Sequence, residues 1–264
     1  MISIIVTVYN KEKFIENTLN SIINQTYSPS EIIIINDGST DRSLEIINNI
    51  QLPNFAYVIT TKNQGVSASR NLGLKKAKSK YIQFVDGDDI LKRNAISIFL
   101  KHIKKHPNMG LYAANRITSD NKVKVDGVES KEFNIVEYFE NLINFKNLCW
   151  TSAVVINKDK LEDVRFNVLY SHGEDRDFFI RILKKNNGYW INELVATYNN
   201  DPLGLSSGPI NKKEDLYWIR FNEFQKELHL KKTFWYKLKY RFANIYLNLR
   251  FKNLTNIISW LNFY

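Results

Sequence analysis

Short apolar runs alternate with helical periodicities along the first hundred residues. Ile2 to Val8, Glu31 to Asn36, Phe55 to Thr61 and Tyr81 to Val85 are β-rich and almost wholly apolar, as strands buried on both faces are. Between them Phe14, Ile15, Leu19, Ile22 and Ile23 recur at helical spacing, as do Leu44, Ile46, Ile47 and Ile50. Two further helices fit Ser67 to Ala77 and Asn94 to His106. The alternation predicts an α/β fold: a parallel sheet with helices on both faces and the C-terminal ends of its strands along one rim. The second half is less regular. Strands fit Gly110 to Ile117, Thr151 to Ile156 and Tyr189 to Tyr198, and helices fit Val136 to Phe145 and Asp175 to Lys185. A Pro/Gly/Ser loop from Asp201 to Pro209 marks the boundary before a final region.

Ligands of open α/β sheets bind at the rim formed by the strand C-termini. Polar residues follow each of the first four predicted strands: Tyr9-Asn10, Asp37-Gly38-Ser39, Lys62-Asn63-Gln64-Gly65 and Asp86-Gly87-Asp88-Asp89. The last of these is the sharpest feature. Three carboxylates in four residues repel one another, which lifts at least one pKa unless a cation intervenes. Oxygen ligands of this kind suit Mg²⁺ or Mn²⁺, bound through one or two carboxylates and substrate phosphates; the alternative is an acidic turn in which Gly87 supplies backbone freedom. In the second loop, Ser39 or Thr40 fits an N-cap with Asp41 favouring the helix's positive end, while Asp37 is placed to accept a hydrogen bond from a base. Tyr9 is either a stacking face for a ring or a core residue. Asn63 to Asn71 opens a helix whose amides favour phosphate, with Arg70 as a clamp or as a surface ion pair. Glu174-Asp175 begins a later helix, where a carboxylate is ordinarily a cap, but an attacking hydroxyl next to a metal–phosphate site needs an ionised carboxylate.

Val6-Thr7-Val8-Tyr9-Asn10, Asn36-Asp37-Gly38-Ser39-Thr40-Asp41, Asn63 to Asn71, Phe84 to Asp89 and Gly173-Glu174-Asp175, in this order, resemble the family 2 glycosyltransferases of GT-A fold over residues 1–207. The resemblance implies a Rossmann-like, nucleotide-binding mixed sheet flanked by helices, with a nucleotide-binding half (1–110) and an acceptor-binding half (111–207); beyond it, residues 208–264 read from composition as a basic, aromatic-rich helical appendage. It implies inverting, metal-dependent transfer from a UDP-sugar to a glycan or lipid-linked acceptor in surface polysaccharide or glycolipid assembly. By position, Thr7, Tyr9, Asp37, Asn63 and Arg70 would hold uridine and its phosphate flank, and Asp86 the ribose and metal surroundings. Asp88 would bind Mn²⁺ or Mg²⁺, and Asp175 would be the general base. Glu174 and Trp150 would border the acceptor, with Tyr170 a second stacking candidate. Two departures stand out. Thr7 replaces a proline usual at the end of the first strand, and the Tyr-Arg-x-His segment that often helps bind metal reads Tyr198-Asn199-Asn200-Asp201, with Asp201 as the substitute oxygen ligand.

Composition narrows the alternatives. The 264 residues carry a net charge of +10, and residues 226–264 hold eight Lys or Arg against the single acid Glu227. Interleaved with ten aromatics, that stretch suits an anionic membrane surface, though plain packing also accounts for it; nucleic acid is the least favoured partner and is not expected. The lone Cys149 excludes an intramolecular disulfide, and no long apolar stretch predicts a spanning helix. The apolar N-terminus reads as a first strand and not an export signal, so the expected location is cytoplasmic, peripheral on the inner face of the cell membrane. Two competing functions are a catalytically silent sugar-nucleotide or glycan-binding subunit, and a haloacid-dehalogenase-type phosphatase built on Asp86-Gly87-Asp88. The phosphatase pattern normally ends the first strand and carries Thr or Val where Ile90 stands. A Rossmann dehydrogenase is disfavoured because Tyr9-Asn10-Lys11 replaces the glycine-rich turn.

Overall fold

The four isoleucines of one strand divide between two cores. Ile33 and Ile35 point to one face of the sheet, Ile32 and Ile34 to the other, and all four are fully buried. A strand whose alternate side chains both meet apolar surface must be continuously apolar, which is why its sequence carries no polar position between Glu31 and Asn36. The computed structural model describes residues 1–118, 128–143, 146–170, 172–199 and 223. In chain order the elements are β1 (Ile2–Val8), α1 (Ile15–Ile23), β2 (Glu31–Asn36), α2 (Ser43–Asn49), β3 (Ala56–Thr60), α3 (Val66–Lys76), β4 (Tyr81–Asp86), β5 (Ile90–Leu91), α4 (Ala95–Lys105), β6 (Leu111–Thr118), β7 (Lys131–Phe133), α5 (Ile135–Ile143), β8 (Val154–Asn157), α6 (Glu174–Leu183) and β9 (Gly188–Tyr198).

The sheet runs β3-β2-β1-β4-β8-β6-β9-β5, with β7 also on β9. Helices α1, α2 and α4 cover one face, and α3, α5 and α6 cover the other. The pairs β2–β3, β1–β2 and β1–β4 are parallel, as the strand–helix alternation predicts. The parallel run ends at β8, which is antiparallel to both β4 and β6, as the mixed sheet implied by the family resemblance requires. The chain enters β8 from the rim, through a 3₁₀ turn at Thr151–Ala153, and so must run back from it. That turn also corrects the strand predicted over Thr151 to Ile156. Ser152 is diverted to the loop after β4, and its carbonyl accepts from the amide of Gln83 (2.9 Å). The sheet is therefore mixed. Strands β5 and β7, of two and three residues, are too short to show a period in sequence.

With β8 reversed, β6 is again parallel to β4, and β9 is parallel to β6. The C-terminal ends of β1, β2, β3, β4, β6 and β9 thus share one rim, joined by the N-termini of α3 and α6. Helix α3 reaches the sheet closely at Gly73, where an added Cβ would fall 2.3 Å from Cγ2 of the buried Ile5. Gly73→Ala is expected to lower unfolding stability by about 1–3 kcal/mol, the usual cost of overpacking. Urea denaturation checks this, and an unchanged midpoint would refute it.

Candidate active site

Carboxylates crowd the rim just beyond β4. Asp86 ends the strand, and its backbone N–H donates to Ser152 Oγ (3.1 Å). Gly87 turns the chain with its N–H on the Thr7 carbonyl (3.0 Å); a side chain there would meet that same carbonyl at 2.9 Å. Asp88 accepts from Lys11 Nζ at 2.6 Å. Asp89, 1% exposed, accepts from Ser152 Oγ (2.5 Å) and from the backbone N–H of Asn199 (3.3 Å). Burial raises the pKa of Asp88, against the pull of Lys11. Burial, and then the charges of Asp86 and Asp88, hold Asp89 well above the carboxylate range. This is the mutual repulsion anticipated from the sequence, and the fold answers it with one ammonium and two hydrogen-bond donors.

Arg70 is the second organising group. It leaves the first turns of α3, is buried, and donates from Nη2 to Asp86 Oδ1 (2.8 Å) and from Nη1 to Glu174 Oε1 (2.8 Å). Its guanidinium lies 5.3 Å over the ring of Phe166, which stacks on Phe178 of α6 at 3.9 Å. Arg70 therefore ties the end of β4 to the start of α6 and is neither a surface ion pair nor a cation facing open space. Its guanidinium is turned to two carboxylates. Glu174 is likewise turned inward, onto Arg70. Burial, then the neighbouring charge of Asp175, push Glu174 up to about 7 despite Arg70. Asp175 itself is half-buried at the rim, its Oδ1 accepting from the backbone N–H of Arg176 (2.7 Å).

The remaining predicted residues divide. Asp37 is 4% exposed and accepts from Thr61 Oγ1 (3.1 Å) and from the backbone N–H groups of Gln64 (3.0 Å) and Gly65 (2.8 Å). It orders the loop that carries Asn63. Gly38 follows in a left-handed conformation (φ 70°), where an added Cβ would lie 2.7 Å from the Asn63 nitrogen. Asn10, also left-handed at φ 52°, accepts from the Thr40 N–H (2.8 Å) and locks the first loop to the second. Neither Ser39 nor Thr40 caps α2, because the helix begins later, at Ser43, with Arg42 at the N-cap; Asp41, just before it, accepts from the Ser43 N–H (2.9 Å). Tyr9 is 44% exposed, so it is not core. Asn63 is exposed, and Thr7 Oγ1 donates to Asp86 (3.4 Å). Trp150 is half-buried under the guanidinium of Arg116, 4.2 Å away. Asp201 and the basic region lie outside the described residues, although Asn199, whose amide donates to the Asp88 carbonyl (2.7 Å), is at the acid loop.

Lys11, Ser152, Asn199 and Arg116 were not singled out from sequence. A lysine just past a rim-facing strand carries a weak signal, whereas Ser152, Arg116 and Asn199 reach the rim only through the reversed β8, β6 and β9. Among the described residues no three acidic, histidine or cysteine side chains could hold an ion alone. The donor set nonetheless fits a hard dication shared with phosphates: oxygen ligands only, a desolvated Asp88, and an ammonium already standing where positive charge is needed.

Comparison with known proteins agrees with this architecture. The family model "Glycosyl transferase family 2" matches residues 3–163. An uncharacterized glycosyltransferase of Haemophilus influenzae is 35% identical over 203 residues, covering 70% of this chain and 80% of that protein. The minor teichoic acid biosynthesis protein GgaB of Bacillus subtilis is 28% identical, covering 71% of this chain and 21% of its own length. The structure of S. aureus TarS 1-349 in complex with UDP-GlcNAc superposes with a TM-score of 0.72 at 20% identity, over 83% of this chain and 64% of that one. The chain belongs to glycosyltransferase family 2 and has the GT-A fold.

Two predictions follow from the buried bridge. Arg70→Met leaves Asp86 and Glu174 without their counter-charge and is expected to lower stability by about 3–5 kcal/mol, partly restored by adding Glu174→Gln; denaturant unfolding of the single and double variants checks it. Glu174 ionises near 4.5 when unfolded and near 7 when folded. The folded state therefore holds the extra proton between those values, and stability falls as pH rises across that window. Glu174→Gln is expected to flatten part of the decline in Tm between pH 5 and 7; an unchanged slope would contradict it.

Proposed function

We propose that this glycosyltransferase moves a sugar from a UDP-sugar to a hydroxyl of a glycan or lipid-linked acceptor with inversion at the anomeric carbon, in surface polysaccharide or glycolipid assembly. One observation carries the reading: Asp86, which lies two residues from Asp88, and Glu174, which adjoins Asp175, are held by the same guanidinium at 2.8 Å each. An acid cluster suited to a metal–diphosphate and an ionisable carboxylate suited to a base are thereby fixed on either side of one space.

In that space the exposed face of Tyr9, with Asp37 and Asn63, frames the uracil and ribose. Thr7 and Asp86 border the ribose and phosphate flank, with Arg70 acting through Asp86. Asp88 and the diphosphate oxygens would hold Mn²⁺ or Mg²⁺, which supplies positive charge to the departing UDP. Asp201 is a further ligand by sequence. Asp175 accepts the proton of the acceptor hydroxyl as its oxygen bonds to the anomeric carbon. The bond to the diphosphate oxygen breaks on the opposite side, and UDP leaves with that electron pair. An α-linked donor thus gives a β-linked product. Trp150 offers a ring face for the acceptor or the transferred sugar. Residues 226–264, basic and aromatic, support contact with the inner face of the cell membrane; among the described residues no helix is long and apolar enough to cross one.

Asp88→Ala is expected to abolish metal-dependent UDP binding. Asp175→Asn is expected to keep UDP affinity within about twofold while lowering transfer by 10²-fold or more, on the order of general-base catalysis. Calorimetric UDP titration and UDP release from a panel of UDP-sugars read the two properties separately. Equal loss of both in both variants would overturn the division of roles, and wild-type binding without any UDP release would favour a silent binding subunit.

A further inference from the structure

Arg116, at the rim end of β6, differs from Arg70 in one respect. Arg70 pairs both terminal nitrogens with carboxylates and leaves only Nε without a partner, whereas Arg116, 5% exposed, has no hydrogen-bond partner at Nε or Nη1 and no ion pair among the described residues. Its guanidinium lies 4.2 Å from the ring centre of Trp150, and Trp150 Nε1 is buried without a partner as well. Tyr198, at the end of β9, meets the same indole edge-on at 4.8 Å. Each unmet buried donor costs about 1–3 kcal/mol, and more when charged. Three of them side by side are not explained by packing.

The acids around Arg116 do not consume those donors. Asp89, in the loop after β4, and Asp175, at the start of α6, act on it through charge alone. Burial lowers its pKa to about 10, which leaves it cationic at neutral pH. An arginine whose task was to neutralise these carboxylates would pair with them as Arg70 does. Here the fork is held flat on an indole with its N–H groups left over, and a planar guanidinium with spare donors matches a carboxylate or phosphate.

We propose that Arg116 and Trp150 form an oxyanion-recognising subsite beside Asp175, which takes a carboxylate or phosphate group carried on a sugar substrate. The proposal rests on the glycosyl-transfer reading, which puts the reacting substrates next to Asp175. The guanidinium and the indole N–H supply donors to the anion, and the remaining ring face packs against the sugar. A chain with this subsite selects charged building blocks over neutral ones of the same shape.

The test uses the full chain saturated with UDP and Mn²⁺. It is titrated calorimetrically with glycerol 3-phosphate and methyl glucuronide, and with glycerol and methyl glucoside as their uncharged counterparts. A second arm compares binding of UDP-glucuronate with UDP-glucose, so that the two arms distinguish an acceptor-borne from a donor-borne anion. In one arm the charged compound is expected to bind about tenfold or more tightly than its neutral counterpart. Arg116→Met is expected to remove that preference and Arg116→Lys to keep part of it, with UDP affinity within about twofold in both. Equal binding of charged and neutral compounds in both arms would overturn the proposal. So would a loss of UDP affinity in Arg116→Met as large as the loss of probe affinity, since Arg116 would then serve the nucleotide. Wild-type protein that binds no UDP would fail the glycosyl-transfer reading itself, a result separate from either of these.

Discussion

A single guanidinium fixes the distance between the two halves of this site. Arg70 is inserted between Asp86 and Glu174, and its guanidinium lies over the ring of Phe166. An ammonium in its place could not address two carboxylates in different directions from a fixed plane. One cation faces two acids with Asp175 close by, and burial first, then the charge of Asp175, raise the pKa of Glu174 against the pull of Arg70. Desolvation rarely makes such a group a net source of stability. What the bridge gives is position: the helix bearing Asp175 docks through Phe178 on Phe166 and Phe84, and Arg70 sets where along that contact it rests.

Positive charge is distributed around the rim in three forms. Lys11 is a compact charge paired with Asp88. Arg70 is paired at both terminal nitrogens. Arg116 is buried with its donors unspent. The same acid cluster thus faces one ammonium partner, one structural partner and one partner held in reserve. That gradation lets a site stay folded before its substrates arrive and still draw energy from their arrival.

Much of the nucleotide half was legible because its chemistry is local. β1 to β4, the helices between them and the acidic turn each announce themselves within a window of a dozen residues, and the parallel pairing follows from connection length. Beyond Asp89 the information becomes long-range. The reversal of β8 depends on a serine hydroxyl meeting two aspartate loop positions more than sixty residues away. The inward turn of Glu174 depends on Arg70, 104 residues earlier. Nothing in either local sequence distinguishes a carboxylate that faces solvent from one that faces a buried arginine. Tyr9 and Asp37 illustrate the boundary. Residue type suggested a base-binding pair, but only the fold separates Tyr9, whose ring stays exposed, from Asp37, whose oxygens are already engaged by the loop it organises.

Asn199 directly follows β9. Its backbone and side chain are stitched to Asp89 and Asp88, the last two acids of the β4 turn. The polypeptide thus leaves β9 tied to the acidic turn after β4. Whatever displaces residue 199 is therefore felt first by the carboxylate and the carbonyl that hold it there.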